Sequence, residues 1–270
     1  MVIATDTLAD KFRRMGARVR IRTQDSRMSN VRVDVQKDKK GEFFDLFVAG
    51  GDGANTEISI LDVQPEDRHL LLLARTGEGK DRAKAKFLCG HDERHWFVAA
   101  IPESAPVGTV VQAKQALKPK EIRETEDRIG LKKKQRNTRK NEVYVRQGEW
   151  FFIPAKTQSF PAEWIIKDEP LSRGRGSKPH MVQFCVRQGG ETVYVNHRFP
   201  NGLSVAAYGR LSAAEQKNGN FRVMKKDAEV FVKGTVRHAD HATITLPCWH
   251  RVVMNTENQS KAMRNVAFLD

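Results

Sequence analysis

Apolar and polar residues alternate along most of this chain in short runs, and each run ends at a break rich in Gly, Pro, Asn or Asp. Period-two alternation of this kind predicts half-buried β-strands joined by tight turns. One early stretch has the helical period instead. Leu8, Phe12 and Met15 fall on one face of residues 5–15, with Thr5 or Asp6 as cap and Gly16 as stop. From Ala17 to Arg22, Val19 and Ile21 point one way while Arg18, Arg20 and Arg22 point the other. This predicts a strand with a basic outer row, either solvated or lying along a phosphate backbone.

Strand pairs follow. Val31–Val35 is expected to pair with Phe43–Val48 across Asp38–Gly41, and Ile58–Val63 with His69–Ala74 across Gln64–Asp67. Lys84–Cys89 and His95–Ile101 form a third pair around Gly90–Arg94. Val110–Leu117 reads as a short helix stopped by Pro119, and Lys120–Ile129 as a polar helix. In Asn141–Pro154 a Gln147-Gly148 turn would pair Val145 with Trp150 and Tyr144 with Phe151. A second hairpin, with a Gly189-Gly190 turn, would place Phe184, Val186, Val193 and Val195 on one face. Leu203–Lys217 reads as a late helix between Asn201-Gly202 and Asn218-Gly219-Asn220, and Ala262–Asp270 as a final strand or tail. Val230–Arg237 and Ala242–Leu246 form the last hairpin, with Ala239-Asp240 as its turn.

The pattern therefore predicts a β-rich α+β fold of antiparallel hairpins and sheets with a few short helices. The expected organisation is an N-terminal β-rich half over 1–118, a polar helix and basic linker over 119–140, and a C-terminal β-rich half over 141–270. The alternative is one composite domain. A chain of 270 residues suits either arrangement.

Charge changes the picture more than composition does. The net charge is +14, which favours an anionic partner such as nucleic acid, a polyanionic substrate or an acidic surface. The excess is concentrated. Lys132, Lys133, Lys134, Arg136, Arg139 and Lys140 lie in a nine-residue run without an apolar residue. Such a run gains from an anion that neutralises it. Arg173, Arg175 and Lys178 lie in a Gly-rich loop whose amides and guanidinium forks suit phosphate. Trp96, Tyr144, Trp150, Tyr194 and Trp249 lie near strands, where rings either pack in the core or stack on bases. Cys89, Cys185 and Cys248 are widely spaced with no CxxC, so zinc-ribbon spacing is absent and reduced thiols are expected. The amino terminus lacks a signal-peptide apolar run, and no apolar run is long enough to span a membrane, so a cytoplasmic location is expected.

Familiar catalytic templates are absent: no nucleophile-elbow motif, no dinucleotide fingerprint, no phosphate loop and no zinc-protease helix occurs. The remaining chemistry is histidine. His238 and His241 flank Asp240 at one predicted hairpin tip, with His250 nine residues on beside Cys248 and Trp249. His91, Asp92, Glu93 and His95 gather at another tip. Imidazole moves protons near neutral pH and is the commonest metal ligand. His238, His241, Asp240, His250, His91 and His95 are thus the catalytic candidates, and His91, Asp92, His95, His238 and His241 the ligands for a divalent metal ion. If the two tips lay side by side they would build one site.

Three functions follow as expectations. The first is nucleic-acid binding, RNA more than DNA. The second is a phosphodiester hydrolase (a nuclease) using a His/Asp/Glu site, metal-dependent or by histidine acid–base chemistry. The third is a scaffold whose basic face meets an acidic protein.

Overall fold

In the computed structural model, which describes residues 5–25, 31–50, 56–79, 82–172 and 178–261, the first apolar stripe folds as helix α1 (Thr5–Arg14). Leu8, Phe12 and Met15 are buried as the period requires, and Gly16 ends the helix at φ +80°. The predicted basic strand is β1 (Val19–Asp25). It runs parallel to β3 (Gly41–Gly50), which pairs antiparallel with β2 (Arg32–Asp38). This parallel pair departs from the all-hairpin expectation. Four antiparallel strands follow in chain order: β4 (Thr56–Gln64), β5 (His69–Thr76), β6 (Ala83–Asp92) and β7 (His95–Ile101). Phe44, Leu46, Leu70, Leu72, Phe87 and Cys89 share one core with α1. Because β5 is buried on both faces, Leu71 joins Leu88 and Ile101 in a second core under α2 (Val110–Ala116). Helices α3 (Lys120–Arg128) and α4 (Lys133–Arg136) follow. Residues 255–261 return to this first unit, where Thr256 Oγ1 donates to Ala116 O at 2.7 Å.

The second unit, Thr138–Met254, carries a six-stranded antiparallel sheet. Its strands are β8 (Val145–Gln147), β9 (Trp150–Pro154), β10 (Ile166–Leu171), β11 (His180–Gln188), β15 (Glu229–Arg237) and β16 (Ile244–Met254), in the order β10-β11-β15-β16-β9-β8. A small separate sheet holds β12 (Glu191–Val195), β13 (Leu203–Ser204) and β14 (Arg222–Lys226).

Three expectations change here. The first hairpin pairs Val145 with Phe152 and Gln147 with Trp150, so its turn is Gly148-Glu149, one residue further on, and each partner shifts by two residues. Gly148 supplies the positive φ (+58°) at the first turn position. The second hairpin does not form: β11 pairs with β10 and β15, whereas β12 pairs with β13 and β14. Successive glycines at φ +67° and +76° redirect the chain between sheets instead. The late helix is split into α5 (Val205–Gly209) and α6 (Ala213–Asn218). Ser212 restarts the helix as N-cap, in a capping box with Glu215.

Residues 262–270, with their expected strand or tail, lie outside the described residues, as do Arg173 and Arg175. Among the described residues no helix is long and apolar enough to cross a membrane.

Candidate metal centre

The register of two strands builds the centre. Met181 of β11 faces Arg237 of β15, so one step further along the same register His180 meets His238. Opposed side chains share a face of the sheet, and these two imidazoles stack with centroids 4.1 Å apart and planes at 22°. Strand pairing between β15 and β16 stops at Val236–Ile244, which leaves 238–243 as a connection longer than the predicted two-residue turn. This loop folds His241 back, with its centroid 4.7 Å from His238 and 5.7 Å from His180. Buried Gln147, at the end of β8, fastens it by donating to Ala242 O at 2.6 Å.

One nitrogen from each of His180, His238 and His241 lies within 4.8 Å of the other two. His180 is buried and the other two are half-buried, so the group opens toward solvent on one side. The buried Trp150 ring meets His180 edge-on at 6.4 Å. The β8–β9 turn approaches closely too: a methyl group at Gly148 would lie 2.9 Å from His241 Nε2 and 3.3 Å from His180 Nε2.

Backbone groups fix the His238 tautomer. Asp240 N–H donates to Nδ1 at 3.1 Å, which places the ring proton on Nε2, and Nε2 faces Lys178 O at 3.2 Å. A ligating histidine commonly donates its second N–H to a carbonyl. Lys178 O is in position for that role, and ligation through Nδ1 would require that atom to release the Asp240 N–H, because its one lone pair serves one partner at a time. Lys178 Nζ closes the outer side through Asp240, at 2.7 and 2.8 Å from its two carboxylate oxygens.

The other candidates are placed differently. His250 is a buried strand residue opposite Val232 and Pro154, and its Nδ1–H donates to Cys248 O at 2.8 Å. Burial holds its pKa down, and the bond to Cys248 O opposes this only in part. His91, Asp92 and His95 belong to the first unit. Among the described residues the group with metal-ligand spacing is His180, His238 and His241, and His91, Asp92 and His95 are not part of it. The two histidine tips occupy different sheets in different units. His95 Nδ1–H donates to Glu42 at 2.6 Å, and Trp96 N–H donates to the other Glu42 oxygen at 3.0 Å. Burial raises the Glu42 carboxyl, but these bonds outweigh it and leave it below the usual carboxylate range. His91 packs edge-on against Trp96 at 4.9 Å. Its pKa is held down by burial and by Arg68.

Of the basic candidates, Lys132, Lys133, Lys134, Arg139 and Lys140 are exposed. Arg136 is spent on structure, bonding Asp127 and donating from Nε to Leu131 O at 2.9 Å. Among the aromatic candidates Trp150, Tyr144 and Trp249 are buried, and Trp96 packs on the first core. Tyr194 is half-buried and stacks on Tyr208 at 3.6 Å.

His180 is the site residue that sequence reasoning missed. It stands after Lys178-Pro179 with no ligand-type neighbour, 58 positions before His238, and only strand pairing joins them. No family model matches this chain, and no curated protein or solved structure matches it significantly.

Proposed function

We propose that this protein binds a transition-metal ion of the zinc class through His180, His238 and His241. The observation that carries this reading is the convergence of three imidazole nitrogens within 4.8 Å. Three neutral nitrogen donors suit zinc, copper or nickel and do not suit magnesium or calcium, which prefer oxygen. A tetrahedral zinc with bonds of about 2.0–2.1 Å sets its ligand atoms about 3.3 Å apart. The near-parallel rings must therefore splay and draw together. Two of them sit on the 238–243 connection, which strand pairing does not restrain. Three protein ligands leave a fourth position for water, whose pKa such an ion lowers toward neutrality. In that form the centre supports hydrolysis, and a phosphodiester substrate is the version that suits a basic chain.

Titration of chelator-stripped protein with zinc under calorimetry, and with cobalt under visible absorption, tests the reading. One equivalent should bind, with a tetrahedral cobalt spectrum, and His241→Ala should weaken binding tenfold or more. Absence of stoichiometric binding, or equal affinity in His241→Ala, defeats the proposal.

Nucleic-acid binding is a second reading, supported by the +14 charge and the exposed Lys132, Lys133 and Lys134. Its signature is an affinity that falls steeply with salt.

A further inference from the structure

Helix α1 and strand β1 border a cleft of about 310 Å³ in the first unit, walled in part by Arg13, Arg18, Arg20, Val19, Asp38 and Phe43. This volume is at the lower end for small-molecule sites. Three guanidinium groups against one carboxylate leave the lining positive by two charges. The arginines are not equivalent. Arg18 is committed to the fold, bonding both Asp38 oxygens at 2.7 and 3.1 Å and Gly41 O at 2.7 Å. That contact, above all the Arg18 hydrogen bond, holds the Asp38 carboxyl down at about 2. Arg13 bonds Asp10 on the exposed side of α1.

Arg20 is held in place without being saturated. Its guanidinium lies 4.4 Å over the Phe43 ring and reaches Asp38 only at 4.0 Å. Its side chain is 50% exposed, and it hydrogen-bonds no described residue. A guanidinium offers five N–H donors in a rigid fork that matches phosphate oxygens in pairs. The stack on Phe43 restrains the fork in advance, so an anion would find it already oriented. Ala17 and Val19 supply an apolar wall beside it.

We propose that this cleft binds a phosphate ester, with Arg20 as the bidentate clamp, Arg13 as the second cation and the ester's body along the Ala17–Val19 wall. The phosphate belongs either to a free phosphomonoester or to a nucleic-acid backbone, and the test separates the two. The site is independent of the metal centre, and assays in EDTA keep the two readings apart.

Full-length protein in EDTA is titrated with adenosine monophosphate and, separately, with a ten-nucleotide single-stranded RNA. At least one should bind, and Arg20→Gln should weaken it about tenfold or more, the scale of a lost charge-assisted bidentate bond. Arg20→Lys should recover only part of the loss, because it restores the charge without the fork. Both variants should keep the wild-type melting temperature, since Arg20 is half exposed. Binding of the mononucleotide identifies a free ester, and binding of the RNA alone identifies a backbone phosphate. Absence of binding by both probes, or wild-type affinity in Arg20→Gln, overturns the proposal.

Discussion

At the scale of single residues, His69 shows what burial does to an imidazole. The residue is 8% exposed and its pKa is pushed down to about 4, by burial first and the Lys114 charge second. The unfolded chain therefore takes up a proton near the ordinary value of 6.5 while the folded chain does not. The stability this provides is complete above about pH 6.5 and is lost as pH falls toward 4. The gap corresponds to about 3 kcal/mol. His91 and His250 shift in the same direction and add to the slope. Urea unfolding at pH 7 and pH 4.5 should show a smaller acid loss in His69→Gln than in wild type; equal losses would rule the assignment out. Gly148 is a second residue with a definite expectation. Gly148→Ala forces a side chain onto φ +58° and against two imidazoles. It should cost about 1–2 kcal/mol in denaturant unfolding and lower zinc affinity as well. An unchanged zinc affinity would show that the turn does not bear on the ligands. Neither effect was legible beforehand, because the sequence marks Gly148 as a turn residue but not what the turn faces.

Elements were legible where their period was local. The Leu8, Phe12 and Met15 stripe, the helices at 110–116 and 120–128, and the three hairpin pairs of the first unit follow from spacing and breaks, whereas its parallel β1–β3 pair does not. Pairing between distant strands was not. The β11–β15 register that joins His180 to His238 depends on long-range partners, so two of the three residues of the candidate centre were read and its buried member was not. The basic run near 132–140 illustrates the same limit. Its sequence shows only charge, yet Lys118, just before α3, ties α3 to α4 through an ion pair no local pattern announces. Lys118 Nζ meets both Glu126 oxygens at 2.7 and 3.0 Å, and it also donates to Arg136 O. Both side chains are almost wholly buried. Removing one partner strands a buried charge, so Glu126→Gln should cost about 3–5 kcal/mol in denaturant unfolding, whereas Lys118→Met with Glu126→Leu should come within about 1 kcal/mol of wild type. If the single variant is as stable as the double, the pair is not what holds this segment.

For the whole molecule the question is where the charge of +14 acts. Much of it is neutralised locally. On the face of β1, Arg18 pairs with Asp38, Arg22 with Asp45 and, on β2, Arg32 with Asp34. That face therefore does not present a continuous basic row to a phosphate backbone, and Arg20 is its exception. In the second unit Lys178 is matched by Asp240, and Arg187 by Glu169. Lys132, Lys133 and Lys134 differ, being exposed and consecutive with no acidic residue among them. If nucleic acid is a partner, these three should carry a large share of the salt dependence. Each phosphate neutralised on a single strand contributes about −0.7 to the slope of log K against log salt. Changing all three lysines to Gln should therefore flatten the slope by about 2 and weaken binding evenly across sequences, because phosphate contacts carry no base information. Fluorescence anisotropy of labelled single-stranded RNA between 50 and 200 mM salt measures this. A triple variant with the wild-type slope would move the anionic partner away from these lysines. The cleft beside Arg20 would then have to account for any salt-sensitive binding that remains, and Arg20→Gln in the triple background would remove it.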